Sequence, residues 1–126
     1  MLTVDTHHPR GDPSDSCKTY AAIDNSVLHA VHCTDQLIGR LTDKLKSHPA
    51  YEDTVVVILA DHLAMRNDAF PLFPEGYKRS LYFNVLNSRN SGSTDAAAMP
   101  TDVAPTVLSL LGVEHNTSFL AGADIS

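Results

Sequence analysis

An α/β fold, a parallel sheet with helices packed on its faces, is what this sequence predicts. Three observations predict it. Six consecutive apolar residues, Val55 to Ala60, run straight into Asp61 and His62. A helical repeat of apolar residues precedes them, and a second strand-like run followed by a short helical stretch comes after. Helix then strand is half of a βαβ unit, with Leu2-Thr3-Val4 as its expected first strand.

The central run justifies its assignment residue by residue. Positions 55 to 58 are all β-branched, and the run is too short for a buried helix. Its apolar character is continuous rather than alternating, so both faces are expected to be covered, as in a central parallel strand. In open α/β sheets the chemistry sits at the carboxyl ends of the strands. Asp61 and His62 stand there, and the pair can offer one carboxylate oxygen and one imidazole nitrogen to a divalent metal. The alternative is an ordinary solvated strand exit.

Before this strand, Leu2-Thr3-Val4 leads into Asp5-Thr6-His7-His8-Pro9, and residues 10–16 are dense in turn formers. Adjacent histidines in a strand point to opposite faces, so one of His7 and His8 at most faces a site. From about Lys18 to Ser47 the pattern is helical, with Val27, Val31, Ile38, Leu41 and Leu45 on one stripe. Asp24, Asn25 or Ser26 can cap its start, Lys44 and Lys46 suit its end, and Pro49 follows the stop. His29 and His32 are three apart on this helix; with no acid or third ligand nearby they read as partly solvated helix histidines rather than a metal clamp.

After His62, residues 63–76 are rich in proline and aromatics and are expected to form an irregular wall, in which Arg66 is the cation able to meet an anion, the alternative being an ordinary exposed loop arginine. Ser80 to Leu86 reads as a further strand, and 87–98 as a mobile loop low in large apolar residues. Met99 to Gly112 reads as a short helix capped by Thr101. Val103, Val107, Leu110 and Leu111 are its buried face, and Gly112 its end. Pro105 is tolerable only in its first turn. The tail to Ser126 has no periodicity, and Asn116-Thr-Ser is a short glycosylation-type match of little weight.

The totals set outer bounds. The chain has 126 residues, one modest domain's worth, and a net charge of −6. That charge argues against a nucleic-acid or anionic-membrane surface. No run approaches the length that crosses a bilayer, so the chain is expected to be soluble and without a membrane segment of its own. Cys17 and Cys33 are too few for a disulfide scaffold and can be either one bridge or two buried thiols. No Gly-rich phosphate loop, nucleophile elbow or CxxC occurs.

Several pieces coincide in one order: His7-His8-Pro9, Asp35-Gln-Leu-Ile-Gly-Arg-Leu, Tyr51 through Ala60-Asp-His, and Thr101-Asp-Val-Ala-Pro-Thr-Val-Leu-Ser-Leu-Leu-Gly. From Leu2 to about Val113 the chain resembles the later part of the alkaline phosphatase/sulfatase superfamily. Within it, the likeness is to bacterial membrane phosphoglycerol transferases that decorate periplasmic glucans, relatives of the lipoteichoic acid synthases. The string Ala60-Asp-His-Leu-Ala-Met65 favours that branch.

The resemblance implies a partial alkaline-phosphatase-like fold, with residues 1–126 as the C-terminal portion of a catalytic domain and a periplasmic address. Asp61 and His62 match the late metal ligands, and His7, two residues before Pro9, matches a histidine that contacts the substrate phosphate. His8 takes a position occupied by an aromatic residue, while Asp35 and the Thr101 helix match packing features. The threonine nucleophile and an early acidic ligand are expected upstream, so no catalytic residue is assigned here. His115 sits in Val-Glu-His-Asn rather than the Asp-Gly-His of two-zinc phosphatases. A single divalent metal, manganese or magnesium rather than zinc, is therefore expected. The implied partners are phospholipid-derived phosphoglycerol and a glycan acceptor, and a periplasmic home favours a Cys17–Cys33 bridge. The alternatives are a sulfatase or phosphodiesterase of the same superfamily, or a non-catalytic module that binds a metal or a partner.

Overall fold

The computed structural model describes residues 2–7, 9–89, 91–116 and 118–126. They divide into two compact units: Met1–Pro49 with Leu63–Ser80, and Ala50–His62 with Leu81–Ser126.

The first unit is built on helix α1, Ser26–Lys46. Asn25 caps it, its side-chain oxygen accepting from the Leu28 N–H at 3.0 Å while its amide donates to the Asp68 carbonyl at 3.0 Å. Such a cap contributes about 1 kcal/mol. Val27, Ala30 and Cys33 are the fully buried positions of α1. Gly11 lies against the start of the helix so closely that a Cβ there would collide with the Ser26 carbonyl and the Ala30 methyl. Residues 16–23 then run along the helix as a strap, tied by a Cys17–Cys33 disulfide with Cα atoms 5.3 Å apart. Side chains of α1 bind the strap's backbone. Gln36 accepts from the Lys18 N–H at 3.1 Å and donates to its carbonyl at 3.0 Å, and Arg40 donates to the Ser16 carbonyl at 3.1 Å.

The second unit holds strands β1, Val56–Leu59, and β2, Phe83–Leu86. They pair antiparallel, Val56 opposite Leu86 and Leu59 opposite Phe83. The Ala60 N–H, donating to the Tyr82 carbonyl at 2.9 Å, extends the ladder by one step. Asn87, at φ +61°, closes the far end, its amide donating to the Tyr51 and Thr54 carbonyls at 2.5 and 2.8 Å. A 3-10 turn, Pro100–Asp102, leads into helix α2, Val103–Leu110, which Gly112 ends at φ +67°. Pro105 is buried in the first turn of α2, where its missing N–H is harmless.

Several expectations are corrected. Leu2-Thr3-Val4 is not a strand: a turn at Asp5–Thr6 follows, the His7 N–H closes onto the Val4 carbonyl at 3.0 Å, and no ladder partner lies beside it among the described residues. A strand without a partner leaves its backbone groups unpaired. The parallel sheet is accordingly absent among the described residues, and the two strands form an antiparallel pair. Residues 60–82 contain one 3-10 turn, Phe70–Leu72, and no helix of the kind that carries a parallel crossover. Strand β1 is half-buried rather than covered on both faces. Helix α1 starts at Ser26, not near Lys18, because residues 18–23 belong to the strap. Val31, placed on the core stripe, is 50% exposed, and the buried line runs through Val27, Ala30 and Cys33. Thr101 does not cap α2: Asp102 holds the N-cap position without a side-chain bond to the helix, and its carboxylate closes the preceding turn instead, accepting from the Met99 N–H at 2.7 Å. Residues 88–99 lack regular structure and, except for Ser88, are exposed where described. His8 and the Thr117 of the glycosylation-type match lie outside the described residues.

Candidate functional site

Asp61 and His62 leave the sheet where the sequence predicts, two and three residues beyond the end of β1. The antiparallel ladder, extended by Ala60, stops at the residue before Asp61. Asp61 folds back on its neighbour: Oδ1 accepts from the His62 N–H at 2.9 Å, and Oδ2 lies 3.8 Å from His62 Nε2. The side chains of Asp61 and His62 are 77% and 62% exposed, so both are open to ligands from solvent. An acceptor-only carboxylate beside an imidazole can hold a cation or steer a proton.

His7 belongs to the first unit, exposed just past the Asp5–Thr6 turn; Asp61 and His62 belong to the second. The strand-end placement expected for His7 fails with the strand itself. Arg66 is exposed in the segment after His62. His29 turns out to be spent on structure: Nδ1 accepts from the Tyr20 N–H at 3.1 Å and Nε2 donates to the Ile23 carbonyl at 2.8 Å. That pattern assigns the proton to Nε2 and leaves no lone pair for a metal. His32 lies against the Tyr20 ring, centroids 5.5 Å apart. His115 lies edge-on to Phe119 at 5.7 Å. Among the described residues no group of three or more His, Cys, Asp or Glu side chains converges as a metal cage.

A family model described as Sulfatase matches residues 1–113. The chain belongs to the sulfatase family. This sulfatase-family chain is 35% identical, over 134 aligned positions, to a protein named phosphoglycerol transferase I from Salmonella arizonae. It is 34% identical to proteins of the same name from Salmonella paratyphi B and Salmonella typhimurium. Each alignment covers 99% of this chain and 18% of the relative, so the chain spans about a fifth of their length. No solved structure matches the chain. No helix among the described residues is long and apolar enough to cross a membrane.

Asp102 is the residue of this family member whose importance its sequence position conceals. It is 6% exposed, and its carboxylate accepts from the Met99 N–H and, through Oδ1, from the Ala123 N–H at 2.8 Å. The Ala123 and Met99 bonds, in that order, hold its carboxyl below the ordinary aspartate range against the opposing effect of burial. Thr106 adds a second tie: its hydroxyl donates to the Asp102 carbonyl at 2.6 Å and accepts from the Ile125 N–H at 3.2 Å. Gly122 makes the approach possible, since a Cβ there would strike the Thr101 carbonyl. The sequence signal for Asp102 is a Thr-Asp at a helix start, where Thr101 is the expected cap.

Proposed function

We propose that this chain forms part of the catalytic domain of a metal-dependent phosphoglycerol transferase, which moves phosphoglycerol from phosphatidylglycerol to a periplasmic glucan. Identity of 34–35% along 99% of the chain to proteins named phosphoglycerol transferase I supports the transfer. The observation that carries the reading is the solvent-open Asp61-His62 pair at the exit of β1. In this assignment the pair binds a divalent cation, manganese or magnesium in preference to zinc.

The donor set fits as part of a cage. A carboxylate oxygen and an imidazole nitrogen 3.8 Å apart can share one ion at bond lengths of about 2.1 Å. Two protein donors fall short of a full site, so further ligands are assigned to other parts of the protein. When bound, such a cation supplies neutralisation of phosphate oxygens and acidifies a hydroxyl nucleophile. His7 is assigned a hydrogen bond to the phosphate being moved. The attacking hydroxyl is assigned outside these 126 residues, and the address to the periplasm, which the Cys17–Cys33 bridge supports. Hydrolysis by a sulfatase or phosphodiesterase is the second reading, favoured by the description of the family model.

The test is transfer from phosphatidylglycerol to glucan by the full-length protein with manganese. Asp61→Ala and His62→Ala should each lose more than about 100-fold in turnover, the upper range for loss of groups that only orient ligands. Wild-type turnover by Asp61→Ala would place the metal elsewhere. Release of sulfate or phosphate to water without glucan labelling would select the hydrolytic reading.

A further inference from the structure

Of four phenylalanines and four tyrosines in the chain, Phe70, Phe73 and Tyr77 fall within one short segment of the first unit. Phe70 meets Phe73 edge-on at 5.7 Å, and Phe73 stacks on Tyr77 at 5.4 Å with the rings 3° from parallel. Phe73 and Tyr77 remain 42% and 57% exposed. Beside Phe70 lies a recess of about 490 Å³, lined by Arg66, Asn67, Asp68, Phe70 and Pro71. That volume falls in the usual range for small-molecule sites, about 300–1,000 Å³.

The polar side chains around this recess divide into two kinds. Asn67 is spent on shaping the turn, accepting from the Ala69 N–H at 2.9 Å and donating to the Met65 carbonyl at 3.0 Å. Arg79 is spent as a brace, donating to the Ala64 carbonyl at 2.6 Å with its guanidinium 4.9 Å from the Phe70 centroid. Arg66 and Asp68 line the recess with no side-chain hydrogen bond or ion pair among the described residues. One is a five-donor fork and the other an acceptor.

We infer that this recess binds a neutral carbohydrate. An anion would meet the Asp68 carboxylate, a cation the Arg66 guanidinium, and a purely apolar ligand would strip water from both. A sugar satisfies all three surfaces at once. Its hydroxyls accept from Arg66 and donate to Asp68, and its C–H face packs on the apolar Phe70 and Pro71 side chains. The exposed Phe73 and Tyr77 rings, stacked on each other and turned edge-on to Phe70, border this surface. Binding stands on this geometry alone; only its role as the acceptor subsite rests on the transferase reading.

The test is an NMR titration of the full 126-residue chain with cellotriose and maltotriose, and separately with sn-glycerol 1-phosphate. The expected result is saturable shifts at 66–71, 73 and 77 from a trisaccharide, with Arg66→Gln and Asp68→Asn each weakening it about tenfold or more. Shifts from glycerol phosphate alone, lost in Arg66→Gln but not Asp68→Asn, would overturn the sugar assignment in favour of an anion site. Trisaccharide shifts indifferent to both variants would overturn it also. In the full-length enzyme, the same variants should raise KM for glucan and leave KM for phosphatidylglycerol unchanged; an unchanged glucan KM removes the acceptor role. Sugar binding without any transfer activity would keep the recess and remove only the transferase reading.

Discussion

Asp102 concentrates two jobs on one carboxylate: it closes the turn before α2 and anchors the tail at Ala123. Asp124 reinforces the tail, its carboxyl lowered first by the Ser126 N–H and then by the Ser109 and Ser126 hydroxyls. Because the folded Asp102 carboxyl lies below its unfolded value of about 3.9, its stabilisation is complete above that pH and is lost as pH falls through the folded value. Urea unfolding from pH 7 to 3 should therefore show wild type losing its advantage over Asp102→Asn only at the acid end. Protection of the Ala123 amide from exchange should fall over the same range. A constant difference between the two proteins at every pH would mean that the carboxylate charge is irrelevant to the clasp. None of this was legible from residue types alone. Thr101 and Asp102 are both good caps by type, yet neither side chain bonds α2, and Asp102 is committed instead to a tail segment that only the fold brings alongside. The place of Asp61 and His62 just beyond β1 was legible because the β-branched run marks the strand that precedes them.

At the scale of an element, α1 presents two working faces. One buries Val27, Ala30 and Cys33; the other, His29, His32, Gln36 and Arg40, runs at helical spacing and serves the strap. The helix was legible from its apolar repeat, its lysines and the cluster of cap formers Asp24, Asn25 and Ser26, of which Asn25 is the cap. The strap was not, because it is held by side-chain bonds to backbone, which leave no periodicity of their own. It also carries Ala21 at φ +47°, a left-handed conformation that costs roughly 1 kcal/mol in a non-glycine residue and is held between the two His29 bonds. The bridge between Cys17 and Cys33 closes a loop of sequence separation 16, worth about 3 kcal/mol by chain entropy. Dithiothreitol, or Cys17→Ser with Cys33→Ser, should lower unfolding stability by about that amount. Amide protection at Lys18 and Tyr20 should go with it. Two free thiols in the denatured, unreduced protein would contradict the bridge directly.

For the molecule as a whole, the proposed chemistry is a matter of what 126 residues can hold. With two donors from adjacent residues, the chain should bind manganese weakly and should turn over no phosphodiester by itself. Turnover by the purified chain, abolished by Asp61→Ala, would show a complete site in these residues and overturn the division of labour proposed above. The α/β character was legible in the sequence and the sheet direction was not. Apolar runs identify strands, but parallel or antiparallel pairing is decided by what lies between them, here an irregular segment without a crossover helix. That segment has another effect. Residues 63–80 join the first unit although they fall within the sequence of the second, so the chain changes unit after Pro49, His62 and Ser80. No single proteolytic nick separates the two units as intact pieces, and a truncation after Ser80 that keeps the first unit whole still carries residues 50–62 of the second. A recombined gene would have to exchange 1–49 and 63–80 together, which leaves the Asp61-His62 segment to travel with the tail it shares a unit with.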